Sequence, residues 1–247
     1  MIFITGDCHG DYRKLGLSYF TGREMMDRSD YVIICGDFGY WDGSREEEYW
    51  LNWLESQGYT VLFVDGNHEN YDMLSELPVV QWNGGKIQKI RESVFRLMRG
   101  QVFTLQGLKF FTFGGARSHD TEDGILDDRD PDLLKKVRQL EEVGARYRIN
   151  HLTWWKEEMA SKEEMEEGRR SLEAHNWRCD YVITHCAPTS VQAELSLGRY
   201  APDELTDYLE EVKRRCKYKA WYFGHYHEDE AVDEKHMVLY RDIRRLC

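Results

Sequence analysis

Five times along this chain a short apolar run stops at a cluster of Gly, Asp, Asn and His. The runs at 2–5, 31–35, 60–64, 180–184 and 220–223 end respectively in Thr5-Gly6-Asp7-Cys8-His9-Gly10, Gly36-Asp37, Gly66-Asn67-His68-Glu69, Thr184-His185 and Gly224-His225-Tyr226-His227. Runs rich in Val, Ile, Phe and Tyr and bounded by turn formers read as strands. Two more, at 108–113 and 237–240, read the same way. Helical signals lie between them. Ser44 has Glu47 in capping-box position, with Trp50, Leu51 and Leu54 at helical spacing. The stretch 202–216 begins with Pro and ends in Lys213, Arg214 and Arg215. Alternating strands and helices predict a layered α/β fold.

One stretch breaks the rhythm. Residues 118–177 are strongly charged, with helices expected over 133–143 and 154–172, and read as a mainly helical insertion covering one end of the sheet. No Gly/Ser-rich or Pro-rich linker interrupts the chain, so one domain spanning 1–247 is expected.

In an open α/β sheet the loops beyond the carboxyl ends of the strands converge on a crevice. Asp7, His9, Asp37, Asn67, His185, His225 and His227 are therefore expected to face one pocket. Imidazole suits Zn and Fe, while carboxylate and amide oxygens suit Mn or Mg. Two ions roughly 3.5–4 Å apart need a shared carboxylate and can clamp the attacking and leaving oxygens of a phosphoryl displacement. An isolated D-x-H or H-x-H is usually incidental; the ordered set, each piece following an apolar run, is not.

Composition narrows the partners. The net charge of −12 disfavours nucleic acid, because binding a long polyanion takes clustered Lys and Arg. A small phosphorylated substrate stays compatible, since bound cations would set the local potential. No apolar run approaches the roughly 18 residues needed to span a bilayer, and residues 1–6 carry no basic region or cleavage site, so no membrane association and a cytoplasmic location are expected. The six cysteines include no C-x-x-C pair and are expected to be free thiols. The sequence carries no signal for an oligomeric state.

The series Asp7-x-His9, Gly36-Asp37, Gly66-Asn67-His68-Glu69, Thr184-His185 and Gly224-His225-x-His227 resembles the calcineurin-like metallophosphoesterase superfamily. What the resemblance implies is a sandwich of two mixed β-sheets flanked by helices, with a two-metal site at the strand ends. It further implies that Asp7, His9, Asp37 and His227 hold one divalent ion (Mn, Fe, Zn or similar). Asp37, Asn67, His185 and His225 would hold the other, Asp37 bridging. His68 would stand beside the metals and assist the leaving oxygen as general acid or hydrogen-bond donor. The expected reaction is hydrolysis of a phosphomonoester or phosphodiester, a nucleotide among the candidates, by water activated between the ions. The rivals are a nuclease of the same superfamily and a catalytically silent protein-binding scaffold.

The pattern departs from the protein Ser/Thr phosphatase branch, which has Asp-Arg where this chain has Tyr40-Trp41. That leaves Asp65 or Asp42 as candidates for orienting His68. The segments Gly114-Gly115-Ala116-Arg117-Ser118-His119-Asp120 and Thr153-Trp154-Trp155-Lys156-Glu157-Glu158 are similar to those of small bacterial and phage metallophosphoesterases. Arg117 and His119 are candidate phosphate contacts, with Arg199 and Tyr200 at the rim. Trp154 and Trp155 read as packing residues, and the acidic run 157–167 as a solvated helix face.

Overall fold

The computed structural model describes residues 1–247. Strand β1 (Ile2–Thr5) is followed by β2 (Tyr31–Ile34), helix α1 (Arg45–Ser56), β3 (Thr60–Phe63) and helix α2 (Tyr71–Ser75). Five strands come next: β4 (Val79–Trp82), β5 (Gly85–Arg91), β6 (Val94–Leu97), β7 (Gln101–Leu105) and β8 (Leu108–Phe113). The 118–177 segment holds β9 (Ile125–Leu126), α3 (Leu133–Glu142), β10 (Arg148–Ile149) and α4 (Lys162–Ala174). The chain closes with β11 (Tyr181–Thr184), α5 (Thr189–Ser196), α6 (Glu204–Arg215), β12 (Ala220–Phe223), β13 (Glu230–Ala231), β14 (His236–Val238) and β15 (Ile243–Arg245).

Two mixed sheets form, in the orders β15-β1-β2-β3-β6-β5-β4 and β13-β14-β12-β11-β8-β7. Strand β2 shows how the layers arise, because successive side chains leave opposite faces of a strand. Its Val32 and Ile34 meet Leu51 and Leu54 of α1 and Leu74 of α2 on the outer side. Ile33 joins Ile4, Leu62, Phe103, Phe110 and Ile183 between the sheets. On the far side Phe111, Val182, Trp221 and Phe223 pack under Leu172 of α4, Val191 of α5 and Leu205 and Leu209 of α6. The result is the expected pair of mixed sheets flanked by helices. No helix is long and apolar enough to cross a membrane.

The differences from the sequence reading are local. The strands β4 to β7 fall between two expected runs, and β4 is largely exposed, so its apolar signal is weak. Its turn was nevertheless written in the chain: Asn83 and Gly84 both take positive φ, the conformation of a two-residue hairpin. The last expected strand, 237–240, ends at Val238, because the Tyr240 amide instead donates to Asp229 (2.8 Å). The helix expected over 154–172 begins only at Lys162, where Ser161 and Glu164 close a capping box. Upstream, Trp155 is extended and buried, and a 3-10 turn covers Lys156–Glu158. Helix α3 buries no residue.

Strands β1, β2 and β3 run parallel in one sheet, and β8, β11 and β12 run parallel in the other. Their carboxyl ends meet at one edge of the sandwich, where His185 Nδ1, beyond β11, lies 2.8 Å from the Cys35 carbonyl beyond β2.

Candidate metal centre

Two loops form the floor of the site. The amides of Cys8 and His9, beyond β1, both donate to the Asp37 carbonyl beyond β2 (2.9 and 2.7 Å). Buried Glu69 holds the same loop, accepting from the amides of Phe38 (2.7 Å), Gly39 (3.1 Å) and Tyr40 (3.2 Å). Burial and the nearby Asp37 carboxylate push its pKa up to about 8, against those three amide donors. His9, Asp37, His225 and His227 all have positive φ, which costs of order 1–3 kcal/mol each and is held by the surrounding hydrogen bonds. Two glycines leave room for carboxylates. A Cβ on Gly66 would lie 2.0 Å from Asp37 Oδ1, and one on Gly224 2.0 Å from Asp7 Oδ1.

The ligand-type atoms fall into two adjoining groups. In the first, one atom each from Asp7, His9, Asp37 and His227 lie within 4.8 Å of one another. His227 Nε2 is 3.0 Å from His9 Nε2 and 3.2 Å from Asp7 Oδ2, and His9 Nε2 is 3.7 Å from Asp37 Oδ2. In the second, His185 Nε2 is 3.1 Å from Asn67 Oδ1 and 3.3 Å from Asp37 Oδ1, and the His185 and His225 rings lie 5.0 Å apart. Asp37 stands between the groups, one carboxylate oxygen toward each. Backbone amides fix both carboxylates: His68 N donates to Asp37 Oδ1 (2.8 Å) and His225 N to Asp7 Oδ1 (3.0 Å).

These groups fit divalent cations on their own chemistry. Asp7 and Asp37 are buried, and the side chains converging on them are imidazoles rather than Lys or Arg. His185 is fully buried, with Nδ1 2.8 Å from the Cys35 carbonyl. When Nδ1 carries the proton for that bond, the Nε2 lone pair, Asn67 Oδ1 and Asp37 Oδ1 are three acceptors converging on one point. Such a point demands a proton or a cation at its centre. Burial disfavours charge on His185, yet the carboxylates of Asp37 and Asp7 raise it to about 10. Asp37, which burial alone would raise, is held well below the usual carboxylate range by His185, His68 and His9. Half-buried His225 goes the other way, far below the ordinary imidazole value, through desolvation and the charges of His185 and His119.

His68 stands at the mouth, its ring 5.2 Å from that of His9 and 6.3 Å from that of Trp41. Neither sequence candidate orients it. Asp65 is fully buried on Arg96 and Arg99 (2.9 and 2.6 Å) and accepts from Tyr71 (2.9 Å). Asp42 is exposed and accepts from the Ser44 amide. The carboxylate whose charge His68 does feel, besides Asp37, is Asp120, itself paired with Arg148 (2.9 Å).

The remaining candidates divide. His119 adjoins the second group, its Nε2 3.1 Å from His225 Nε2 and its ring stacked on Tyr200 at 4.3 Å. Arg117 lies outside both groups, with its side chain 61% exposed and Nε 3.6 Å from Asp203. Arg199 Nε donates to the Ser196 carbonyl. Trp155 packs edge-on against Trp41 and donates to Asp72 (2.7 Å). The acidic run is not wholly solvated: Glu158 is buried and accepts from the Ser118 amide (2.9 Å) and hydroxyl (2.6 Å). Ser118 Oγ in turn accepts from Asn67 Nδ2 (3.2 Å). Ser118, Glu158 and Asp120 were not among the sequence candidates, and their one sequence signal was the pair of segments containing them. Outside the mouth, a groove of about 640 Å³ runs from His9 and His68 past Trp41, Asp42, Glu46 and Trp50.

The family model for calcineurin-like phosphoesterases matches residues 1–229, and the chain belongs to that family. No curated protein matches it.

Proposed function

From membership of the calcineurin-like phosphoesterase family, we propose that this chain hydrolyses a small phosphomonoester or phosphodiester, with Asp7, His9, Asp37 and His227 holding one divalent cation and Asp37, Asn67, His185 and His225 a second. The observation that carries the reading is the position of the Asp37 carboxylate, with Oδ2 toward His9 and Oδ1 toward His185. Divalent cations bound there supply Lewis acidity toward phosphate and lower the pKa of water.

The chain's own groups do the rest. The fixed carboxylates and imidazoles are pre-organised, so little reorganisation accompanies the chemistry. His68, at the mouth between His9 and Trp41, donates a ring proton or hydrogen bond to the departing oxygen. The Asp120–Arg148 pair lies on the His68 side, close enough for both charges to act on that ring, and His119, stacked on Tyr200, borders the second ligand group. The groove beyond His68 takes the leaving group. Its indoles suit an apolar or aromatic leaving group, while Asp42 and Glu46 repel an anionic one. A nucleic-acid substrate is disfavoured on the same grounds and by the net charge of −12.

The test is turnover of p-nitrophenyl phosphate and bis(p-nitrophenyl) phosphate with Mn²⁺, Fe²⁺ and Zn²⁺, beside single- and double-stranded DNA at low salt. Release of p-nitrophenol, abolished in Asp37→Asn, is the expected result. DNA cleavage outpacing both aryl esters would make the protein a nuclease. No turnover of any substrate by the fully loaded protein would overturn the enzymatic reading in favour of a binding scaffold.

A further inference from the structure

An asparagine side chain has two unlike ends, a carbonyl oxygen that can ligate a cation and an NH₂ that cannot. Which end faces the centre is decided by what the other end meets. Asn67 Nδ2 meets Ser118 Oγ at 3.2 Å, which leaves Oδ1 beside His185 Nε2. A hydroxyl has only one proton, so the direction of Ser118 is decided one step further out. Its Oγ is 2.6 Å from Glu158 Oε2, and its amide donates to Glu158 Oε1 at 2.9 Å. With its proton committed to the carboxylate, Ser118 has only lone pairs to offer Asn67, and the amide must present its NH₂ to them. Asn67, Ser118 and Glu158 are 5%, 5% and 2% exposed, so water does not compete at any of the three.

The outer end of the chain of bonds is itself fixed. Arg99, buried on Asp65, donates through Nη2 to the carbonyls of Glu157 (2.8 Å) and Glu158 (3.3 Å). The loop before Ser118 passes so near this turn that a Cβ on Gly115 would lie 2.5 Å from the Glu158 carbonyl.

We propose that Ser118 and Glu158 are positioning residues that fix the orientation of the Asn67 amide, and through it the affinity of the site shared by Asn67, Asp37, His185 and His225 for its cation. This gives the segments 114–120 and 153–158, far apart in sequence, one shared purpose. The proposal rests on the two-cation reading above, and its test separates the two.

Mn²⁺ binding to the full-length, metal-free protein is titrated calorimetrically, and the spin-coupled Mn–Mn signal is recorded by electron paramagnetic resonance. The variants are Ser118→Ala, Ser118→Thr and Glu158→Gln, with thermal midpoints recorded for each. The wild type binds two equivalents. Ser118→Ala weakens one of them by roughly 10- to 100-fold, the range for loss of an outer partner of a ligand, and loses the coupled signal. Ser118→Thr, which keeps the hydroxyl, restores both. Glu158→Gln matches the weakened site despite its equal size, because a glutamine NH₂ facing Ser118 lets the hydroxyl turn toward Asn67 and invert the amide. Two equivalents at wild-type affinity in folded Ser118→Ala and Glu158→Gln would overturn the relay alone. A wild type that binds fewer than two equivalents would overturn the two-cation reading, and the relay with it.

Discussion

His68 and Gly224 show how differently single residues bear on the centre. His68 touches neither ligand group through a side-chain hydrogen bond, yet it faces the mouth between His9 and Trp41. Its contribution should depend on how badly the leaving oxygen needs a proton. His68→Ala is expected to lower kcat by about 10²- to 10⁴-fold on an alkyl phosphate and by far less on p-nitrophenyl phosphate; equal losses on the two would remove His68 from the leaving-group side. Gly224 acts by absence. In Gly224→Ala the added methyl would overlap Asp7 Oδ1, so the variant should fold with a lowered thermal midpoint and lose Mn²⁺ affinity, which a calorimetric titration reads directly. The sequence made the ligands legible because each lies just beyond a strand, and Asp7, Asp37, Asn67 and His225 directly follow a glycine. Asp120 and Glu158 stayed hidden because no such spacing marks them and only the returning chain brings Arg148 and Ser118 to them.

At the level of elements, Asp65 ties the end of β3 to its surroundings. It pairs with Arg96 of β6 and Arg99, accepts from Tyr71 of α2, and through Arg99 reaches the turn bearing Glu158. Replacing it by Asn would take from two buried guanidinium groups their shared buried carboxylate, leaving Arg99 only that of Glu164 (3.2 Å), at a cost of about 3–5 kcal/mol. Burial alone would raise the Asp65 pKa, but Arg96 and Arg99 hold it well below the ordinary carboxylate value. A depressed folded-state pKa stabilises above the unfolded value of about 3.9. Urea midpoints should therefore separate wild type from Asp65→Asn by a constant gap from pH 7 down to about 4, closing only in stronger acid; a gap that closed near neutrality would contradict the ion-pair assignment. The same elements show what patterning reveals. Strands buried on both faces, such as β2 and β3, stood out as unbroken apolar runs. Strand β4 lies largely exposed and β5 interleaves Lys and Arg with its apolar residues, so neither stood out, and the Asn83-Gly84 turn was their one local signal.

For the whole molecule, the two sheets bring the loops carrying Asp7, His9 and Asp37 against the loops carrying His185, His225 and His227, so carboxylates from one sheet share one cavity with imidazoles from both. Buried carboxylates there favour any cation that binds the folded chain and not the unfolded one. Mn²⁺ at about 100 times its dissociation constant should add about 2.7 kcal/mol per site. The thermal midpoint should rise accordingly and return to its starting value on adding chelator; an unchanged midpoint under saturating Mn²⁺ would mean that no cation site is coupled to folding. The sequence alone determined the layered α/β class, the family pattern and the ligand types, because apolar runs and the residues that end them are local properties. Only the tertiary structure decided which carboxylate approaches His68, how Asn67 is turned, and that Glu158 lies inside rather than on a solvated face. Those outcomes depend on contacts between segments 28 to 118 residues apart, and hydrogen-bond direction is set by such contacts rather than by composition.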